Sequence, residues 1–144
     1  MVQHRKLLLL KIGIPLKNKK PFHVFGRVFY FYTMKRTITH IVAHCTAGKA
    51  QQKTSDIFTY WARKLGWKSY GYHWLINEDG TAEQITPDDK VCNGVKGYNA
   101  NAIHICYKGG WDGTDTRTEK QKEKMLELFT HYRKLHPTAW YGGH

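Results

Sequence analysis

Nine histidines in a chain of 144 residues are the first chemistry on offer, because imidazole is both a common metal ligand and the side chain that titrates nearest neutrality. His4 and His23 lie in an irregular stretch near the start, while His131 and His136 fall on or just past an amphipathic helix pattern, so all four are expected to face solvent. His44 closes a β-branched run, Thr37 to Cys45. A rigid strand end can hold a ligand there, and a hydrogen-bonded core histidine would look the same. His73 follows Tyr72 in one strand pattern and His104 sits in another. Alternation sends Tyr72 and His73 to opposite faces, so they are not expected to share a site. No H-E-x-x-H, G-x-S-x-G or phosphate-cradling glycine loop is present, so any site must be assembled from separate strands. Cys45, Cys92 and Cys106 are odd in number and form no C-x-x-C pair. They read as free buried thiols rather than a disulfide framework or a zinc knuckle.

The elements that must position these residues are legible in outline. The run ending at His44 is too short for a helix and predicts a buried strand. Thr54 or Ser55 can cap a helix whose apolar positions Ile57, Tyr60, Trp61 and Leu65 share a face and which Gly66 closes. It is expected to run antiparallel or slantwise over the sheet. Tyr72 to Ile76 and Thr81 to Ile85 flank Asn77-Glu78-Asp79-Gly80, the chemistry of a hairpin turn. Residues 87–99 lack a period and form a surface loop, and Trp111 with Asp112, Gly113 and Asp115 predicts an exposed turn. Ala102 to Lys108 alternates as a strand. Thr118 and Gln121 form a capping box for a helix with Met125, Leu128, Phe129, Tyr132 and Leu135 on one face, ending before Pro137. Ala139 to Tyr141 is a short strand leading into Gly142, Gly143 and His144. This order predicts an α+β domain, a mixed central β-sheet flanked by helices.

The formal charge of +12 is uneven: residues 1–33 hold seven Lys/Arg and no acid, leaving +5 from Met34 onward. We therefore expect a poorly ordered basic extension over 1–33 and one domain over 34–144. Such charge would suit nucleic acid, an anionic wall polymer or plain solubility. No recognition module accompanies it, so nucleic acid is not an expected partner. The apolar run Leu7 to Leu10 falls far short of the ~20 residues of a membrane span and lacks a cleavage site. Neither a span nor a signal peptide is expected, and a monomer is.

Four blocks, in order, carry a resemblance: I-T-H-I-V-A-H-C-T-A (38–47), L-G-W-K-S-Y-G-Y-H-W (65–74), N-G-V-K-G-Y-N-A-N-A-I-H-I-C-Y-K-G-G (93–110) and R-T-E-K-Q-K-E-K-M-L (117–126). Together they resemble the zinc-dependent N-acetylmuramoyl-L-alanine amidases shared by phage endolysins, bacterial wall-recycling enzymes and peptidoglycan recognition proteins. The resemblance implies an amidase-like, peptidoglycan recognition protein-like fold and one zinc ion. It implies His44 and His144 as zinc ligands, Tyr72 as the catalytic donor or water-positioning group, and a groove wall containing Asn93, Gly94 and Asn99. It also implies hydrolysis of the bond between N-acetylmuramic acid and L-alanine in peptidoglycan, by a protein cytoplasmic at synthesis or released to the cell wall.

The sequence departs from the family after His144, where a third zinc ligand, usually a cysteine, and an assisting lysine are expected and none follows. Cys45, Cys92 and Cys106 match other family positions. On this reading the chain lacks its C-terminal end and its third protein ligand, zinc is held weakly and activity is impaired. A non-catalytic peptidoglycan-binding domain is the alternative.

Overall fold

This computed structural model describes residues 36–144 throughout, together with the backbone of two strands in the segment before them. That segment, Met1–Lys35, forms a unit separate from Arg36–His144. Its strands β1 (Lys19–Val24) and β2 (Arg27–Tyr32) pair antiparallel, from Lys19 with Tyr32 to Val24 with Arg27. Leu7 to Leu10, His4 and the side chain of His23 lie outside the described residues, as does most of the expected unordered extension.

In the second unit the β-branched run extends as β3 (His40–Cys45). It is followed by helix α1 (Thr54–Arg63), the hairpin β4 (Trp74–Ile76) and β5 (Ala82–Gln84), then β6 (Ala102–Tyr107), helix α2 (Glu119–Leu135) and β7 (Trp140–Gly143). The strands form one sheet in the order β5-β4-β6-β3-β7. Only β4 and β5 pair antiparallel; β4 with β6, β6 with β3 and β3 with β7 are parallel. All six residues of the central β6 are buried, as expected of a strand covered on both faces.

The two helices take opposite faces. Ile57 and Trp61 of α1 pack on Leu75 and Cys106. Trp74, one residue before Leu75 and so on the other side of the sheet, donates its Nε1–H to the Tyr132 hydroxyl of α2 at 2.7 Å. That hydroxyl donates in turn to Asp88 Oδ1 at 2.8 Å, fixing the start of the 87–99 loop to α2. The capping box of α2 is present in full, with Thr118 Oγ1 accepting from the Gln121 N–H and Gln121 Oε1 from the Thr118 N–H.

Helix α1 begins differently from expectation. Lys53 is the residue before its first turn and no side chain caps it. Thr54 Oγ1 is used elsewhere, accepting from the buried Lys108 Nζ at 2.8 Å and facing the Glu83 carboxylate. A tertiary contact has displaced the local cap. The helix also stops at Arg63, so Leu65 is outside it and exposed. His131 and His136, expected in solvent, are both half-buried. Of the three free cysteines, Cys92 and Cys106 are buried and Cys45 is half-buried against Gly110, whose Cα approaches too closely for a larger residue.

Candidate metal centre

Strand register builds the site. His44 lies opposite Cys106 and Val42 opposite His104, so His44 and His104 project from neighbouring strands onto the α1 face of the sheet. The rings meet there: His44 Nε2 is 3.0 Å from His104 Nδ1, with ring centres 5.1 Å apart. His144 follows β7, donates its N–H to Ala43 O at 3.0 Å, and brings its ring centre to 5.3 Å from that of His44. Tyr72 closes the cluster from the segment before β4, 5.0 Å from His44 and edge-on to Trp61 at 5.3 Å.

Burial sets the charge states. His44 is pushed down to about 3, first by burial and then by the neighbouring His104 and His144. His104 falls to about 4 by burial, with Arg36 and His144 adding to it. Both are neutral near pH 7, the form in which imidazole ligates a metal. The Tyr72 hydroxyl is pushed far above its ordinary value by burial and by the Cys106 thiol. It therefore remains protonated and able to donate.

His73 has another role. Its Nδ1 accepts the backbone N–H of His104 at 3.0 Å, so in the neutral ring Nε2 carries the proton and donates to Lys90 O at 3.0 Å. With both nitrogens occupied and the ring held neutral at about 3, chiefly by burial, this histidine ties β6 to the 87–99 loop. Tyr72 and His73 take different partners, as expected, although alternation along one strand is not what separates them. Tyr72 meets His44 while the His73 ring lies 5.8 Å from His104, because β4 begins only at Trp74 and its alternation does not extend back to them.

The loop residues singled out by sequence hold one another. Asn93 Nδ2 donates to Ser69 Oγ at 2.8 Å, and Asn99 Oδ1 accepts the Val95 N–H at 2.7 Å. Gly94 lies flat on the His104 imidazole, where a Cβ would come within 2.5 Å of Cγ. Arg36, which sequence reasoning missed, donates to the carbonyls of Asp88, Lys90, Asn99, Ala100 and Ala102 and so fastens the loop to β6. A lone arginine just before a strand carries no signal of this. His104 was missed as a partner of His44 because their meeting depends on strand order.

The donors suit zinc in kind: neutral imidazole nitrogen from His44 and a second imidazole at His144. Cys106 is not available, since its thiol is buried against the Tyr72 hydroxyl and pushed well above its ordinary value. Among the described residues no group of three or more His, Cys, Asp or Glu side chains makes up a complete ligand set.

A family model described as N-acetylmuramoyl-L-alanine amidase matches residues 34–142. The chain belongs to that amidase family. It is similar to the endolysin of Klebsiella phage KP32, 36% identical over 113 residues that cover 70% of this chain and 73% of the relative. It spans about half the length of three further phage endolysins that it matches at 34–37% identity. Among solved structures, the Ph2119 endolysin from a Thermus scotoductus bacteriophage superposes with a TM-score of 0.69 at 25% identity, over 74% of this chain and 71% of that one. The ectodomain complex of peptidoglycan recognition proteins LCa and LCx, bound to tracheal cytotoxin, gives 0.66 at 22% identity, over 76% and 72%. The amidase-family chain thus has the amidase-like and peptidoglycan recognition protein-like fold that its sequence blocks imply. No helix among its described residues is long and apolar enough to cross a membrane.

Proposed function

We propose that this amidase-family chain hydrolyses the amide between N-acetylmuramic acid and L-alanine in peptidoglycan, with one zinc ion held by His44 and His144. The supporting observation is the pairing of those two rings, 5.3 Å between centres, beside a protonated Tyr72. Zinc in such a site supplies an acidified water near neutrality and a Lewis acid for the carbonyl. The chain's own residues do the rest. Tyr72 donates its hydroxyl hydrogen to the oxygen on which charge develops, a contact worth most in a site screened from water. The 93–99 loop, with Asn93, Gly94 and Asn99, forms a wall against which the substrate lies. Release to the cell wall follows from such a substrate.

The incomplete ligand set among the described residues favours a second reading, a peptidoglycan-binding domain without turnover. Zinc content and product release distinguish the two. The parent chain is expected to bind zinc when the metal is supplied in excess, to lose much of it on dialysis, and to release stem peptides slowly from purified sacculi with zinc present, and His44→Ala to do none of these. Tyr72→Phe is expected to bind zinc as the parent does and lose on the order of 10²-fold in kcat. Equal zinc in parent and His44→Ala would sink the metal assignment. Sacculus binding without peptide release, at full zinc occupancy, would establish the binding-domain reading instead.

A further inference from the structure

His44 has one ring nitrogen committed and one open. Nε2 faces His104 Nδ1 at 3.0 Å, a separation that requires one proton shared between them. His44 Nδ1 makes no hydrogen bond among the described residues and is not among the buried polar atoms left without a partner. It is the accessible nitrogen of the ring. His104 is fully buried in the middle of β6, its backbone N–H bonded to His73 Nδ1 and its ring pressed under Gly94. Its own Nε2 is enclosed with no partner. An apolar side chain would fill this space without a buried unpaired nitrogen, so packing alone does not account for an imidazole here.

We propose that His104 is the positioning residue of the metal centre: its Nδ1 accepts the Nε2–H of His44 and thereby reserves the Nδ1 lone pair of His44 for the metal. The inference rests on the zinc reading above. A ligating histidine commonly donates its second ring N–H to a fixed acceptor, which sets its tautomer, holds its plane and raises its basicity. Here the acceptor is a second imidazole, held in place by its burial in β6 and by the Gly94 backbone against its ring. With Nδ1 accepting, the neutral His104 ring carries its own proton on the enclosed Nε2, so neither nitrogen is free to be a ligand. It acts through His44.

Long-range proton–nitrogen correlations on the full, nitrogen-labelled, zinc-free chain read the tautomer of His44 directly, and the expected result is a protonated Nε2 with a bare Nδ1. His104→Phe keeps a ring beneath Gly94 and is expected to lower zinc affinity about 10–100-fold in competition with a chromophoric chelator. His104→Gln, whose side-chain oxygen can accept the same proton, is expected to recover part of the loss. A His44 protonated on Nδ1 in the parent chain would overturn the proposal, as would zinc binding by His104→Phe equal to the parent's. If the parent chain and His44→Ala alike take up no zinc, it is the metal reading that fails, and the tautomer still decides the role of His104.

Discussion

At the residue scale, three buried histidines make the zinc-free chain sensitive to acid. His44, His73 and His104 take up protons at 6.5 when unfolded and only at about 3, 3 and 4 when folded. Falling pH therefore favours the unfolded chain, and the stability present above 6.5 drains away below it. Asp88 works in the opposite sense: burial holds it protonated up to about 6 when folded, against 3.8 unfolded, so its contribution grows as pH drops through that window. With three histidines against one carboxyl, the net loss near pH 5 is on the order of 3 kcal/mol per pH unit. Urea titrations at neutral pH and near pH 5 should show the midpoint falling steeply; a flat midpoint would mean that these rings are not buried neutral. Gly94 offers a second test. In Gly94→Ala the new methyl meets the His104 ring, and the crowding is expected to cost about 1–3 kcal/mol in thermal unfolding. An unaltered melting curve would show that the loop does not lie on that ring.

At the element scale, what could be read from sequence was what is decided within a few residues. The capping box at Thr118, the hairpin around Asn77 to Gly80 and the face of α2 at Met125, Leu128 and Tyr132 depend on local chemistry and are present, while Leu135, expected on that face, is exposed at the end of the helix. Thr54 shows the limit, since its hydroxyl was claimed by Lys108 from another strand, a choice invisible along the chain. The histidine cluster divides in the same way. His44 stood out as a strand-end candidate and His144 was named only because neighbouring blocks resemble a family, whereas His104 needed the β3–β6 register, and the residues around Tyr72 and His73 depart from the alternation assumed for them. The link between α2 and the loop makes a prediction of its own. Tyr132→Phe removes the acceptor of Trp74 Nε1–H and a donor to Asp88, and is expected to destabilise the fold by about 1–3 kcal/mol in urea. A loss below a few tenths would mean that water replaces the hydroxyl.

At the scale of the whole molecule, the sheet is unequally secured. Its centre is a fully buried strand covered on both faces, while β7 lies at the edge with β3 as its one neighbour in the sheet. Four residue pairs, the backbone bonds of Trp140 N–H to Thr39 O and His144 N–H to Ala43 O, and the Tyr141 ring beside Phe129 and Arg133 attach it. Edge segments with few contacts are where local opening is cheapest. Because His144 rides on this segment, an ion bridging it to His44 would act as a clasp between a firm strand and a fraying one. Amide hydrogen exchange in 140–143 should accordingly slow when zinc is added to the parent chain and be unmoved in His44→Ala, and every fluctuation that peels the edge away would also release the ion.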